Sequence, residues 1–279
     1  MDYSAKILAD SVSPVGVRLT TFEVTFPRIV LAEFNTHREF SRNSASSRAI
    51  PVEKQIAKIM ADPFVPIYWG RNQKGMQAEQ ELTQDERILA EANWLDMRDE
   101  AVRRARNLLD IGVHKQITNR LLEPWMWHTV IVTATQWENY FNLRCHPDAQ
   151  PEIQRIAKMM RDLYESSSPV ALQAGEWHLP LVEPGEVMEL VGGGFDVKKV
   201  SAGRCARVSY LTHDGRRAPA EDALLCDRLL SSGHLSPLEH PAMALDTLQR
   251  NGNFIGWMQL RKTLPGEAVF RPSTSTSAT

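Results

Sequence analysis

Between Gly16 and Phe26 the chain alternates, with Val17, Leu19, Phe22, Val24 and Phe26 set between polar and β-branched residues. A period of two over that length reads as a half-buried strand. Pro27 suits a first helical position, and Ile29, Val30, Ala32 and Phe34 suit a short helix ending near Asn35 or Thr36. From Thr36 to Pro51 apolar periodicity disappears, which predicts a loop, or a helix end and a loop. The thirteen residues Thr36–Arg48 hold three arginines, one histidine and five hydroxyls. Guanidinium forks, hydroxyl donors and backbone N–H groups in a Ser-rich turn are what phosphate recognition requires. The same composition also suits a solvated loop; the apolar unit just before it favours recognition, because it would hold the cluster rigidly.

Further along, Asp62–Gln80 carries Pro63, Pro66, Gly70 and Gly75 and reads as irregular surface chain. Thr83-Gln84-Asp85-Glu86 is a capping box that opens a long helix, with Ile88, Ala92, Leu95, Val102, Ala105 and Leu109 as its apolar face and Gly112 at its end. A second helical pattern crosses His114–Leu143, disturbed at Pro124. A third follows Asp148 through Ile153, Ile156, Met160 and Leu163, and Ser166–Pro169 stops it. Gln173–Glu186 reads as loop, and Pro219–Ser232 as a helix closed by Gly233. Residues 1–272 are expected to form one domain, and Ser273–Thr279 a disordered Ser/Thr tail.

Lys and Arg total 32 against 34 Asp and Glu, a net charge of −2, so the basic excess of a nucleic-acid binder is missing. No apolar run approaches the roughly 18 residues of a membrane span. The opening Met1–Lys6 lacks the pattern of a signal peptide, and the cysteines number three, without a C-x-x-C pair. The expectation is a cytoplasmic protein with free thiols and no metal site. Gly192-Gly193-Gly194 reads as a turn and not a dinucleotide loop. Trp125, Trp127 and Trp137 read as core or subunit contacts, and Cys226 as core. Cys145 beside Arg144 makes a weak nucleophile.

The polar cluster resembles the R-H-R-x-x-S-x-N-E-x-S-x-R-Y signature of flavin-dependent thymidylate synthases. His37, Arg38, Ser41, Asn43, Ser46 and Arg48 fall in register; Thr36, Ser44 and Ala49 depart from it. Asn142–Ile153 resembles the family's N-L-R-x-x-x-x-A-Q-x-E-I segment, and Gly233–His240 its G-H-x-S-P-x-E-H segment, with Ala206–Tyr210 similar to the A-R-x-S-Y stretch before it. In the family the G-H-x-S-P-x-E-H block precedes the R-H-R block; here it follows near the C-terminus, and a circular permutation would account for that order. The resemblance implies an α+β fold, mixed helices packed on an antiparallel sheet.

By position, the resemblance implies that His37, Arg38 and His240 lie against FAD, with Asn142, Arg144 and Asp148 completing that site. Fixed cationic donors suit the anionic edge of a reduced flavin. Taken by itself, His240 beside Pro241 also reads as a capping or core histidine; its place in the Glu-His pair favours the flavin site. Ser46 and Arg48 would hold the nucleotide phosphate, with Ser44 and Glu33 on the substrate side. The family's active-site Arg aligns with Gln154; Arg155, one residue on, is turned by ~100° on a helix and is the nearest candidate for that role. Glu33 stands where the family has Gln. A carboxylate accepts from the exocyclic amine of cytosine, whereas uracil presents a carbonyl there; the short helix could equally turn Glu33 to solvent.

The implied activity is methylation of a pyrimidine deoxynucleotide at carbon 5, most simply dUMP to dTMP, with methylenetetrahydrofolate and NADPH as co-substrates, in a homotetramer. Two alternatives stand beside it. One is the same scaffold acting on dCMP or stopping at hydroxymethylation; the other is a catalytically inactive flavin- or nucleotide-binding homologue.

Overall fold

The computed structural model describes residues 2–209 and 218–269. Strands β1 (Ser4–Val12) and β2 (Arg18–Pro27), the latter the alternating segment of the sequence, pair antiparallel. A 3-10 turn (Arg28–Val30) leads into helix α1 (Leu31–Asn35), and the polar cluster follows. It is more ordered than a loop: β3 (Ser41–Ser44) and a 3-10 turn (Ser47–Ala49) lie within it. Helices α2 (Val52–Ala61), α3 (Gln84–Asp110) and α4 (Lys115–Thr118) come next. The capping box of α3 is formed in both directions, Thr83 with Glu86, and Gly112 follows its end with a φ of 84°. Only Val102 and Ala105 of the expected apolar face are buried; Ile88 is 55% exposed.

The His114–Leu143 stretch does not continue as helix. It contains α4, a 3-10 turn (Asn119–Trp125) and then β4 (Trp127–Ala134), which pairs antiparallel with both β2 and β3. A short apolar run looks alike as buried strand or buried helix; the β-branched residues of Trp127-His128-Thr129-Val130-Ile131-Val132-Thr133-Ala134 decide for strand. Helices α5 (Glu138–Arg144) and α6 (Pro151–Ser166) follow, then β5 (Val170–Ala171), β6 (Trp177–His178), α7 (Glu186–Gly192), α8 (Val197–Ser209) and α9 (Pro219–Ser232). Gly233, with a φ of 74°, closes α9. The last strands are β7 (Ala242–Ala244), β8 (Arg250–Asn251), β9 (Phe254–Ile255) and β10 (Trp257–Gln259). Tyr210 and the Ser273–Thr279 tail lie outside the described residues.

The main sheet runs β3-β4-β2-β1-β5, antiparallel except where β5 joins β1. Strand alternation assigns its two faces. Phe22, Val24 and Phe26 of β2, with Val130, Val132 and Ala134 of β4, pack against Tyr140 of α5 and Ile153, Ile156 and Met160 of α6. The odd-numbered residues point the other way: Leu19 meets Trp257 and Phe254, and Ile131 meets Cys205 and Val208 of α8. The α+β architecture is therefore two layers on one sheet, the second built from the C-terminal third of the chain. Trp125 and Trp137 are buried, as is Cys226, while Trp127 is half-buried.

Asp10 staples the first layer, accepting from Arg18 (2.6 and 2.8 Å), Thr20 (2.9 Å) and Ser167 (2.6 Å). Burial alone raises its pKa, but the hydrogen bonds from Arg18, Ser167 and Thr20 outweigh it and hold the carboxyl below its ordinary value. A depressed folded-state pKa contributes stability above the unfolded value that is lost as pH falls through the folded one. Asp10→Asn is expected to flatten the acid limb of a pH-dependent unfolding curve below about pH 4. An unchanged limb would count against this assignment.

Candidate functional site

The loop between α1 and β3 folds back onto α5. His37 is 7% exposed, stacked on Phe40 (centroids 5.6 Å apart) and edge-on to Tyr140 (4.9 Å). Arg144 Nε donates to His37 Nε2 at 3.0 Å, and its Nη2 donates to the Glu33 carbonyl and Thr36 Oγ1. A guanidinium only donates, so Nε2 accepts and the imidazole is neutral with its proton on Nδ1. Burial, then the charges of Arg144 and Arg42, lower the His37 pKa to about 4, in keeping with that state. His37, Arg38, Phe40, Gln136 and Tyr140 line a cleft of about 530 Å³. Two segments far apart in the sequence thus meet at one cleft.

The three arginines of the cluster have different fates. Arg42 is half-buried and donates to the Phe34 and His37 carbonyls at 3.3 Å, tying the loop to the end of α1. Arg38 and Arg48 are exposed, with no hydrogen-bond or ion-pair partner among the described residues. Asn119 fixes the turn carrying Arg48 by donating to the Ser47 and Ile50 carbonyls at 2.6 and 2.9 Å. Ser44 is half-buried and Ser46 exposed, whereas Ala45 and Ser47 are turned inward.

Other expected residues lie elsewhere. Asn142 is exposed; two residues from Arg144 on a helix, it projects from nearly the opposite side. Asp148 is exposed beside His146 and lines a pocket of about 620 Å³ between residues 66–78 and the start of α6. Arg155 lies over the Tyr3 ring (4.5 Å) and 3.9 Å from Asp2, while Gln154 donates to the His146 carbonyl. Arg155 is absent from the lining of both the His37 cleft and the Asp148 pocket. Glu33 is half-buried and does not line the His37 cleft, and its Oε2 is buried without a hydrogen-bond partner among the described residues.

His240 departs furthest from expectation. It is 0% exposed, on the face of the sheet opposite α5 and α6, and both ring nitrogens are occupied, Nδ1 by Thr133 (2.8 Å) and Nε2 by Asn43. As folded, it offers no atom to a ligand in the His37 cleft. It belongs to a buried chain whose proton directions are all fixed. Asn43 Nδ2 donates to the Cys205 carbonyl at 2.9 Å, so its Oδ1 faces His240 Nε2–H. His240 Nδ1 then accepts from Thr133, whose oxygen accepts from Thr21 at 2.8 Å. Thr21 accepts from His178 Nε2 (2.8 Å), and His178 Nδ1 accepts from Ser11 (2.9 Å). Burial lowers both histidine pKa values to about 3, so the chain is uncharged at neutral pH. The sequence reading missed Thr21, Thr133 and His178. Their signal is threonine at odd positions of otherwise apolar strands, which marks a polar contact across the sheet.

Among solved structures, a crystal structure of a UMP/dUMP methylase PolB from Streptomyces cacaoi bound with 5-Br UMP is similar at 18% identity and a TM-score of 0.50. It covers 58% of this chain and 88% of that chain. The same methylase bound with 5-Br dUMP gives 17% identity, coverage of 58% and 90%, and a TM-score of 0.49. At such identity the 5-Br UMP complex speaks for the fold alone. Comparison with curated proteins finds no match. The family model described as thymidylate synthase complementing protein matches residues 9–170, a range that holds both the Thr36–Arg48 cluster and the Arg144 segment and ends before Gly233–His240. The chain belongs to the thymidylate synthase complementing protein family.

Proposed function

We propose that the protein is a flavin-dependent enzyme that methylates a pyrimidine deoxynucleotide at carbon 5, dUMP to dTMP in its simplest form, with methylenetetrahydrofolate as one-carbon donor and NADPH as reductant. The observation that carries this reading is the Arg144–His37 contact, which joins two family motifs behind the cleft that His37 and Arg38 line, where the Arg38 guanidinium is unpaired among the described residues. The donor set fits FAD: among the described residues Arg144 has no carboxylate partner and Arg38 is free, and His37 is neutral and packed on an aromatic floor. Those three residues would hold the flavin, while Asn142 and Asp148, which lie away from the cleft, would meet it only through a further rearrangement or a neighbouring copy. When bound, the flavin supplies hydride to the activated pyrimidine.

The chain's own tasks are binding and orientation. Arg48 and Ser46 project from a turn pinned by Asn119 and suit the nucleotide phosphate, with Ser44 beside them. Arg155, packed on Tyr3, would need to turn away to meet substrate. His240 acts at one remove, through Asn43 and β3. The reading includes a homotetramer, in which a neighbouring copy completes the site, acting in the cytoplasm.

A second reading, modification of dCMP, is favoured by Glu33. Its buried, unpartnered carboxylate oxygen is an acceptor in want of a donor, which the cytosine amine supplies and the uracil carbonyl does not.

The deciding experiment is an absorbance spectrum of purified protein, followed by parallel titration of the flavin signal with dUMP and dCMP. A response to dUMP alone supports thymidylate synthesis; a response to dCMP moves the function to cytosine. Protein that stays colourless after reconstitution with FAD overturns the flavin assignment. Charged hydrogen bonds contribute about 1.5–3 kcal/mol each, so Arg48→Ala is expected to weaken nucleotide binding about ten- to hundredfold with flavin retained. Arg38→Ala should do the reverse. Equal loss of both ligands in both variants would contradict the division of labour.

A further inference from the structure

Behind the turn that presents Ser46 and Arg48 lies a cavity of about 210 Å³, separate from the His37 cleft. Its walls are mainly Trp125, Met126 and Ile59, with Ser47, Gln55 and His128 as the polar lining. These three are 2%, 3% and 3% exposed. Burial alternates along the turn after β3 and separates the cavity from the anion-binding side: Ala45 and Ser47 are buried and line it, while Ser46 and Arg48 are exposed. The exposed residues Lys58 and Ala61 form its mouth.

Two buried polar atoms on residues that line this space lack partners among the described residues. Arg28 Nη1 donates to His128 Nδ1 at 3.1 Å, so that nitrogen accepts and the neutral ring carries its proton on Nε2. Among the described residues that N–H has no hydrogen-bond partner, and neither has Ser47 Oγ. A buried donor left unpaired costs about 1–3 kcal/mol, so a native cavity with two such groups selects an occupant that pairs them. An apolar cavity of about 150 Å³ holds benzene, so this one accommodates a single substituted ring. Lys58 and Asp62 both line it, and their opposite charges give no preference for an ion.

We propose that this cavity binds a small neutral heterocycle of the pyridone or pyrimidinone class. Its ring carbonyl accepts from His128 Nε2–H, its ring N–H donates to Ser47 Oγ, and its face lies on Trp125. The site rests on no part of the preceding reading, and no bond is made or broken in it.

The test uses 2-pyridone as probe, followed by saturation-transfer NMR on the full chain, with N-methyl-2-pyridone as the analogue lacking the N–H. Saturable binding with a Kd of about 1 mM or tighter is expected, at least tenfold weaker for the N-methyl analogue. Ser47→Ala should weaken 2-pyridone several-fold and erase the preference between the two compounds. Ala45→Leu, which fills the cavity, should abolish binding with the thermal midpoint retained or raised. No saturation at about 10 mM, or equal binding of both compounds to the unaltered protein, overturns the proposal. So does a crystal structure in which waters bridge His128 Nε2 and Ser47 Oγ and are not displaced by the probe.

Discussion

Asp222→Ala is expected to destabilise the protein by about 3–5 kcal/mol, the cost of leaving buried charge without its counter-ion. Asp222 is 0% exposed and accepts from Arg204 Nε at 3.1 Å and Arg207 Nε at 2.5 Å. Arg204, itself 4% exposed, donates further to Glu186 at 2.6 and 2.8 Å and to the Leu181 carbonyl at 2.8 Å. Alanine would leave the buried Arg204 with only the half-buried Glu186, and Arg207 with only the exposed Glu221 at 3.5 Å, as carboxylate partners among the described residues. The helices cannot close the gap, because α8 and α9 already touch: a Cβ at Gly203 would lie 2.1 Å from the Asp222 carbonyl oxygen. Asp222→Asn keeps shape and acceptor and should lose less than the alanine variant. Denaturant unfolding of the three proteins measures this, and a loss below about 1 kcal/mol for alanine would show that the network is solvated. The network also explains the A-R-x-S-Y resemblance physically, since its arginine, Arg207, secures the layer that carries Gly233–His240.

The elements legible in the sequence are those whose cause is local. The capping box at Thr83–Glu86, the closing Gly233, the alternation of β2 and the 3.6-residue spacing of α6 each carry their own signal and appear as read. What stayed hidden depends on distant partners. β4 was obscured because both of its edges are paired and one face is covered by α5 and α6, so its apolar run has no solvent-facing alternation to announce a strand. Ile88 fits a helical apolar stripe yet is exposed, because periodicity shows which residues share a face and not whether that face is covered. At the site, motif register anticipates two segments that meet in the fold, where Arg144 hydrogen-bonds His37. It was not enough for His240, whose place on the far face of the sheet follows from its Thr133 and Asn43 partners, 107 and 197 residues away.

Thr133→Val should cost about 2–5 kcal/mol, although it exchanges one β-branched residue for another of nearly equal volume. The side chain occupies the centre of the polarised chain from Ser11 to Asn43, accepting from Thr21 and donating to His240. Valine does neither. It leaves the Thr21 hydroxyl without an acceptor and His240 Nδ1 without a donor, each orphaned group costing about 1–3 kcal/mol. The fixed directions forbid simple repair. Reversing the chain would turn the Asn43 carbonyl toward the Cys205 carbonyl, two acceptors face to face. Protonating His240 would bury a charge where burial already holds its pKa near 3. Thr133→Ser retains the hydroxyl and loses one methyl, for about 1 kcal/mol. The valine variant should therefore unfold at clearly lower denaturant than the serine variant, by an amount insensitive to pH between about 6 and 8, where neither histidine titrates. Equal midpoints for the two would mean the hydroxyl is dispensable and the layers are held by apolar packing alone. A larger loss for valine would mean that the histidine of the family's E-H pair fixes, in this protein, how the C-terminal layer seats on the sheet.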